Sequence, residues 1–228
     1  MTYVFAPCAQ PSVPVTGRAE LFPVHRIYCV GKNYAAHTRE MGGDPSKDTP
    51  VFFTKPADAV VTGGHDVPYP PATEDLHHEI ELVVAIGKAG HGINRDAALD
   101  HIFGYAVGID LTRRDLQGLA KKNGGPWDLA KGFDFSAPIS DIKTVADIGH
   151  PSAGRIWLDV NGSLRQDADI SQLIWDVPNV IASLSRFFTL QPGDLIFTGT
   201  PEGVAAVTKG DVIRGGVDGV GHIGVRLI

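Results

Sequence analysis

The sequence predicts one domain of the α+β class, dominated by short strands, with a few short helices at its periphery. Twenty-seven glycines and sixteen prolines in 228 residues indicate frequent tight turns between short elements. A hydrophobic fraction of 43% and a charged fraction of 20% are typical of a globular domain with one sizeable core. No internal repeat, low-complexity tract or linker divides the chain.

The N-terminal part contains short β-rich runs. Residues 1–23 are apolar and interrupted by prolines, so we expect an arm or edge strand there, ahead of a single domain over residues 24–228. Residues 25–30 predict a strand that ends at Gly31, and residues 34–41 predict a short helix. A loop is expected over residues 44–50. Further short strands are expected at 51–54 and 59–61.

The strongest strand signals lie in the middle of the chain, at residues 79–86 and 104–110. Both runs are apolar on both faces, which is typical of buried strands. Asn94 is expected to cap a helix over residues 94–101.

The C-terminal part begins with a helix over residues 111–122 and continues with Asn161–Gly162 between two β-rich runs, which predicts a hairpin. Residues 170–188 are expected to be mainly helical despite Pro178. A strand at 195–198 and short strands separated by glycines complete the chain.

Composition excludes several classes of function. The net charge is −6 and the basic residues are scattered, so nucleic acid is not an expected partner. No apolar stretch approaches the roughly 18 residues that span a bilayer. The N-terminus lacks the pattern of a secretory signal, and two cysteines do not form a disulfide framework. These features favour the cytoplasm.

Two glutamates at the start of the strongest strand are the first candidate site. Glu79 and Glu81 are two residues apart, so in a strand they project from the same face. Two neighbouring carboxylates raise each other's pKa, and a divalent cation compensates them best. The alternative is an exposed strand end at which both glutamates pair with Lys or Arg.

Asp110 follows the second buried strand and favours the metal interpretation. Three carboxylates at the ends of buried strands suit a hard cation such as Mg²⁺ or Mn²⁺. The alternative for Asp110 is a cap on the helix that follows. His77 and His78 precede the glutamates, and we expect one to flank the site and the other to be solvated.

His37 and Glu40 form a second candidate. They are three residues apart and share a face of the predicted helix. A carboxylate beside an imidazole raises its basicity, as a general base requires. Glycines at both ends of this segment suit a lid that orders over a substrate. The alternative is an ordinary exposed ion pair.

Other polar groups could contact an anionic substrate. Arg114 and Gln117 share one side of the helix after Asp110, and Lys131 and Lys55 are lone cations in apolar runs. Such residues are more often at the surface. The backbone of residues 198–201 could line an anion site. The spacing of a Walker loop, a nucleophile elbow and a zinc-type Cys/His cluster are all absent from the sequence.

Taken together, these segments resemble the fumarylacetoacetate hydrolase superfamily, most closely its short branch of fumarylpyruvate hydrolases and acylpyruvases. The resemblance runs from about residue 28 to the C-terminus. It is carried by YCVGKNYAAHTREMG, FFTKPADAVV, LHHEIELVVAIGK, GYAVGIDLTRRDLQ, PWDLAKGFD, VNGSLRQ and LQPGDLIFTGTPEGV.

The resemblance implies a mixed β-roll that forms a homodimer, with Mg²⁺ or Mn²⁺ on Glu79, Glu81 and Asp110. His37 and Glu40 match a lid dyad that activates water. Lys131 and Gln117 are also expected to be catalytic, and the residues expected to bind the substrate are Lys55, Arg114, Thr200 and Tyr34. Lys32 departs from the family pattern, because many relatives have arginine there, and lysine cannot reproduce the guanidinium fork.

The implied activity is hydrolysis of a carbon–carbon bond in a 2,4-dioxo acid by a catalytic domain over residues 24–228. Fumarylpyruvate, cleaved to fumarate and pyruvate in gentisate breakdown, is the expected substrate. Acylpyruvase and oxaloacetate decarboxylase are alternatives within the superfamily. A non-catalytic protein that binds divalent cations is the alternative of another class. Lys32, Arg39 and Arg113 are all open as partners of a distal substrate carboxylate.

Overall fold

The computed structural model describes residues 2–40 and 50–228, and strands dominate this part of the chain. The first strands are β1 (Ser12–Pro14), β2 (Leu21–Pro23), β3 (Arg26–Gly31), β4 (Val51–Lys55), β5 (Val60–Val61), β6 (Leu76–His77), β7 (Ile80–Ile86), β8 (Ile102–Ile109) and β9 (Thr112–Arg113). The remaining strands are β10 (Ala137–Pro138), β11 (Lys143–Thr144), β12 (Arg155–Val160), β13 (Ser163–Asp169), β14 (Asp194–Phe197), β15 (Ala206–Val207), β16 (Val212–Val217) and β17 (Gly221–Arg226).

The helices are short and lie between strands. The α-helices are α1 (Ala35–Glu40), α2 (Arg114–Asn123), α3 (Asp128–Lys131), α4 (Val145–Ile148) and α5 (Val177–Leu184). The 3₁₀ helices are Ala57–Ala59, Arg95–His101 and Ile170–Gln172. No helix in the described part of the chain is long and apolar enough to cross a membrane.

Two larger sheets organise the molecule. A six-stranded mixed sheet has the order β11-β8-β7-β14-β3-β4, in which β14 is parallel to β3 and antiparallel to β7. A four-stranded antiparallel sheet has the order β13-β12-β16-β17. Smaller sheets are formed by β15-β6-β9, β10-β5 and β1-β2. The prediction of a β-dominated, mixed fold with peripheral helices is therefore confirmed.

Strand β7 separates two hydrophobic clusters because its side chains alternate between its faces. Leu82, Val84 and Ile86 belong to the larger cluster, which includes residues of the four-stranded sheet. Val83 and Ala85 belong to the smaller cluster. Glu81 has the same parity as Val83, so it lies on the face of the smaller cluster. This face is where the functional side chains are found.

The N-terminal residues pack against this smaller cluster. Strands β1 and β2 pair antiparallel, with Val13 opposite Phe22. Val13, Val15 and Phe22 are buried within the cluster. The division of the chain at residues 23 and 24 stays a prediction.

Two helix predictions were right only in part. Residues 170–188 contain the 3₁₀ helix Ile170–Gln172 and α5, but residues 173–176 interrupt them, because α5 begins only after Asp176, whose carboxylate accepts a hydrogen bond from the Asn179 N–H. Pro178 lies in the first turn of α5, where its fixed φ is tolerated. Asn94 precedes a 3₁₀ helix and makes no side-chain capping bond.

The predicted helix after Asp110 starts later than expected. Thr112 and Arg113 pair with His77 and Leu76 as strand β9, and helix α2 begins only at Arg114. Asp110 is therefore not a cap of that helix, and its carboxylate is available for other contacts. The predicted loop at 44–50 falls mostly outside the described residues, as do the glycines after the predicted lid helix.

Candidate active site

Antiparallel pairing of β7 and β8 brings three carboxylates together. Ile80 lies opposite Ile109, and the Asp110 N–H donates to the Glu79 carbonyl oxygen at 2.8 Å. Glu79, Glu81 and Asp110 each offer a carboxylate oxygen, and these atoms lie within 4.8 Å of one another. Their exposed fractions are 5%, 2% and 0%. The predicted triad is thus a compact and buried group.

Two cations compensate Glu79, whereas Glu81 pairs with no cation in the part of the chain that the structure describes. Lys131 Nζ lies 2.8 Å from Glu79 Oε2 and 2.7 Å from Asp110 Oδ2, and Arg114 Nη2 lies 2.5 Å from Glu79 Oε1. Burial raises the pKa of Glu79, but Lys131 and Arg114 outweigh it and hold the pKa well below its usual range. Burial, together with the charges of Asp110 and Glu79, holds the pKa of Glu81 well above its usual range.

The donor set fits a divalent cation. Oxygen Oδ1 of Asp110 is buried and lies 2.8 Å from Lys55 Nζ. Glu81 accepts a 2.7 Å hydrogen bond from the Gly199 N–H. Three buried carboxylates within 4.8 Å of one another, with the pKa of Glu81 raised by burial and by its two neighbours, concentrate negative charge that a hard cation would neutralise. Glu79, Glu81 and Asp110 are therefore the residues that can hold such an ion.

A narrow cavity of about 30 Å³ lies against the triad. It is lined by eight of the eleven residues predicted for the site, namely His37, Glu79, Glu81, Asp110, Arg114, Gln117, Lys131 and Thr200. A ninth, Glu40, lies behind His37, with Oε2 at 3.1 Å from His37 Nδ1. The structure therefore collects the predicted base, cations and metal ligands around one small space.

Lys55 and Tyr34 do not line the cavity, although both were predicted to contact substrate. Lys55 Nζ is 2.8 Å from Asp110 Oδ1, but its hydrogen bonds go to the carbonyl oxygens of Leu111 and Lys131. Its side chain is fully buried, so Lys55 supports the segments that carry Asp110 and Lys131. Tyr34 is 1% exposed, and burial raises its pKa.

The two histidines before the triad differ from the prediction that one of them is solvated. His78 is fully buried, and its Nδ1 contacts Gln166 Oε1 at 3.0 Å. Burial lowers the pKa of His78 to about 4, so its ring is neutral. His77 is partly buried and contacts Asp75 at 2.9 Å. Both histidines therefore support the strand, and neither lines the cavity beside the triad.

Several residues that sequence reasoning missed also shape the site. Lys121, Trp127 and Phe53 line the cavity, and Lys121 Nζ lies 5.3 Å from the Trp127 ring centroid. Gln166 joins His78 to Thr200 through hydrogen bonds from both ends of its amide. Gln166 is the last residue of the VNGSLRQ motif, and Lys121 follows the Arg114–Gln117 helical face by one turn. The VNGSLRQ motif was therefore the sequence signal for Gln166, and the helical spacing was the signal for Lys121.

The comparisons with known proteins agree on one family. The model of the fumarylacetoacetate (FAA) hydrolase C-terminal family matches residues 26–228. Fumarylpyruvate hydrolase of Ralstonia sp is 45% identical over 184 residues, covering 81% of this chain and 95% of the relative. The mitochondrial oxaloacetate tautomerase FAHD1 of Rattus norvegicus is also 45% identical, over 194 residues, covering 85% of this chain and 87% of the relative.

A solved structure resembles the whole chain. The crystal structure of fumarylpyruvate hydrolase from Pseudomonas aeruginosa in complex with Mn²⁺ and pyruvate superposes with a TM-score of 0.98 at 51% sequence identity. It covers 100% of this chain and 99% of that protein.

Proposed function

The chain belongs to the fumarylacetoacetate hydrolase family and is a hydrolase of carbon–carbon bonds, and on this premise we propose that its substrate is fumarylpyruvate. The products are fumarate and pyruvate, as in gentisate breakdown. The observation that carries the proposal is that the carboxylate triad and His37, which Glu40 contacts from behind, line one cavity. A divalent cation and an activated water are the two requirements for this cleavage.

The residues of the triad would hold Mg²⁺ or Mn²⁺, because both prefer carboxylate oxygens. When bound, the cation supplies a Lewis acid for the 2-oxo acid end of the substrate. Lys131 contacts Glu79 and Asp110, and its pKa is raised because these two charges outweigh the effect of burial. It therefore stays protonated and adds a positive charge where the pyruvate enolate forms.

His37 is placed to take a proton from water. Its Nδ1 donates to the Glu40 carboxylate, so Nε2 carries the lone pair of a base. The activated water adds to the 4-oxo carbon, and the bond between carbons 3 and 4 breaks. The electron pair of that bond remains on pyruvate as an enolate, which is then protonated at carbon 3.

Gln117 is placed to stabilise the oxyanion that forms at carbon 4. Its Oε1 accepts a 2.6 Å hydrogen bond from Arg114 Nη1. This contact fixes the orientation of the amide and leaves the Nε2 group as a donor. Gln117 is 3% exposed and lines the cavity, so this donor acts in a site from which bulk water is largely excluded.

The acyl half of fumarylpyruvate ends in a second carboxylate, and Lys121 and Lys32 are the lining residues that suit it. Arg113 is turned away, since its Nη1 donates to the Leu129 carbonyl and its guanidinium lies 4.4 Å from the Phe133 ring centroid. Arg39 is exposed and does not line the cavity. Among the three cations left open by the sequence, Lys32 is retained and Lys121 is added.

Oxaloacetate is a second candidate substrate, because the oxaloacetate tautomerase relative is as similar in identity as the fumarylpyruvate hydrolase relative. Oxaloacetate chemistry with the same cation needs no attack by water. The two candidates therefore differ in their dependence on His37. A homodimer, implied by the resemblance, stays a prediction.

The proposed function is tested by comparing fumarylpyruvate, acetylpyruvate and oxaloacetate with Mg²⁺ or Mn²⁺, and again with chelator. We expect metal-dependent release of fumarate and pyruvate, and a roughly 100- to 10,000-fold lower kcat for His37→Gln because a general base is lost. Turnover of oxaloacetate alone, with His37→Gln fully active, would contradict the hydrolytic proposal and favour the second candidate.

The role of Lys121 is tested by Lys121→Met, with Lys122→Met as the matched control on the same helix. Lys122 is exposed and does not line the cavity. We expect Lys121→Met to raise KM for fumarylpyruvate about tenfold, since a charge-assisted hydrogen bond is lost. The KM for acetylpyruvate, which has no distal carboxylate, stays unchanged. Equal effects on both substrates would contradict the assignment.

A further inference from the structure

Gln166 on strand β13 makes four hydrogen bonds through one buried amide group. Its Oε1 accepts from the Ile80 N–H at 3.1 Å and contacts His78 Nδ1 at 3.0 Å. Its Nε2 donates to Thr200 Oγ1 at 2.8 Å and to the Pro201 carbonyl oxygen at 2.9 Å. Gln166 is fully buried, and both ends of its amide are satisfied.

The orientation of this amide is determined by the backbone. The Ile80 N–H can only donate and the Pro201 carbonyl can only accept, so rotating the amide by 180° would oppose two donors at one end and two acceptors at the other. It follows that the His78 Nδ1 carries the proton in that contact. It also follows that Thr200 Oγ1 must be the acceptor in its contact with Gln166.

A hydroxyl that accepts from Gln166 has its own proton left to donate. Thr200 donates no hydrogen bond to another described residue, and it lines the cavity beside Glu81 and His37. The segment that carries it is held on the other side by the Gly199 N–H, which donates to Glu81 Oε2 at 2.7 Å. The position of the Thr200 hydroxyl is therefore set by two separate contacts.

We propose that Gln166 is a positioning residue that makes the Thr200 hydroxyl a hydrogen-bond donor to the carboxylate of a bound 2-oxo acid. The inference rests on the proposed function only in taking a 2-oxo acid as the ligand. Gln166 has no contact with the ligand and acts through Thr200. A ligand carboxylate accepts this hydrogen bond, and a neutral ligand without an acceptor at that point gains nothing from it.

The test is a double-mutant cycle on pyruvate affinity, measured by calorimetric titration of pyruvate into the Mn²⁺-loaded protein. Thr200→Val removes the hydroxyl, Thr200→Ser keeps it, and Gln166→Met removes the amide with little change in volume. Gln172→Met, at an exposed position of the 3₁₀ helix Ile170–Gln172, is the matched control. A separate Mn²⁺ titration and a thermal unfolding curve accompany each variant.

We expect Thr200→Val and Gln166→Met each to weaken pyruvate binding by roughly tenfold, the value of one hydrogen bond to a charged group. Thr200→Ser and Gln172→Met bind pyruvate like the wild type. In the Thr200→Val background, Gln166→Met causes no further loss. Because a purely structural defect would weaken binding in both backgrounds, the cycle separates the two explanations.

Gln166→Glu provides a second variant in case Gln166→Met fails to fold. A carboxylate keeps the acceptors for Ile80 and His78 but cannot donate to Thr200, whose proton then turns toward it. We expect the same tenfold loss in the wild-type background and none in the Thr200→Val background.

Three results would overturn the proposal, namely equal losses in both backgrounds, a loss with Thr200→Ser as large as with Thr200→Val, or no pyruvate binding by the Mn²⁺-loaded wild type. Pyruvate binding that follows the cycle in a protein unable to hydrolyse fumarylpyruvate would leave this inference standing and remove the proposed function.

Discussion

At the scale of single residues, the same sequence pattern places two glutamates in opposite electrostatic situations. Glu79 is contacted by Lys131 and Arg114. Glu81 faces Asp110 and Glu79, and its one hydrogen-bond donor among the described residues is the Gly199 N–H. The charged form of Glu79 is stabilised by folding, and the charged form of Glu81 is destabilised. A residue whose charged form is destabilised, as that of Glu81 is, is kept for function at a cost in stability.

Glu81→Gln should therefore stabilise the metal-free protein while abolishing its metal-dependent activity. We expect the free energy of unfolding in chelator to rise by roughly 1–2 kcal/mol, because a neutral amide keeps the acceptor for Gly199 and removes the repulsion. Urea unfolding in chelator measures this change. Glu79→Gln is the control with the opposite sign, since it leaves Lys131 and Arg114 without a partner. Destabilisation by Glu81→Gln would contradict the account.

At the scale of elements, the turn after β14 connects the metal group to the substrate loop. Gly199 has φ of 102°, and a Cβ there would lie 2.7 Å from Asn33 Cβ and 3.0 Å from the Val30 carbonyl oxygen. Asn33 is fully buried and holds the turn through a 2.7 Å hydrogen bond to the Thr198 carbonyl oxygen. Only glycine allows this close approach while its N–H reaches Glu81.

Gly199→Ala should weaken Mn²⁺ binding, because the added methyl group moves the turn away from Glu81. We expect the alanine to destabilise the native turn by about 1 kcal/mol through its positive φ and by about 1–3 kcal/mol through the clash of its methyl group. Gly210→Ala is a matched control, since its φ is 98° and no atom lies within 4 Å of the added Cβ. Equal Mn²⁺ affinities for the two variants would contradict the proposed role of this turn.

Much of this element-scale arrangement could be predicted from the sequence, because strand parity is a local property. The alternation in residues 79–86 placed Glu79 and Glu81 on one face, and the second buried run placed Asp110 nearby. Contacts between distant segments could not be predicted in this way. Gln166 lies 88 residues from His78 and 34 from Thr200, and Lys55 donates to a carbonyl 76 residues away. No local pattern encodes these distances.

At the scale of the whole molecule, the site depends on the packing of two clusters on the sheet that carries it. The smaller cluster includes Val13, Val15 and Phe22 from residues 12–23, here called the N-terminal ribbon, together with Val83 and Phe197 of the six-stranded sheet. The ribbon lies outside the residues that match the family, which begin at residue 26. It nevertheless completes the cluster against the face of β7 that carries Glu81.

Deletion of residues 2–23 should therefore lower the thermal unfolding temperature substantially. Each of Val13, Val15 and Phe22 contributes roughly 1.5–3 kcal/mol through burial. Deletion of residues 2–8, which are exposed, is the control and should leave the unfolding temperature unchanged. An unchanged temperature for the longer deletion would show that the ribbon is an independent arm.

The central claim is that carbon–carbon bond cleavage depends on a divalent cation held by Glu79, Glu81 and Asp110. The most direct measurement is the release of fumarate and pyruvate from fumarylpyruvate by protein that has been freed of metal with a chelator. Release is measured before and after Mn²⁺ is added back, for the wild type and for Glu81→Gln. We predict that Mn²⁺ restores the wild type and fails to restore Glu81→Gln. If the metal-free wild type released as much product as the wild type with Mn²⁺, or if Mn²⁺ fully restored the activity of Glu81→Gln, the claim would be contradicted.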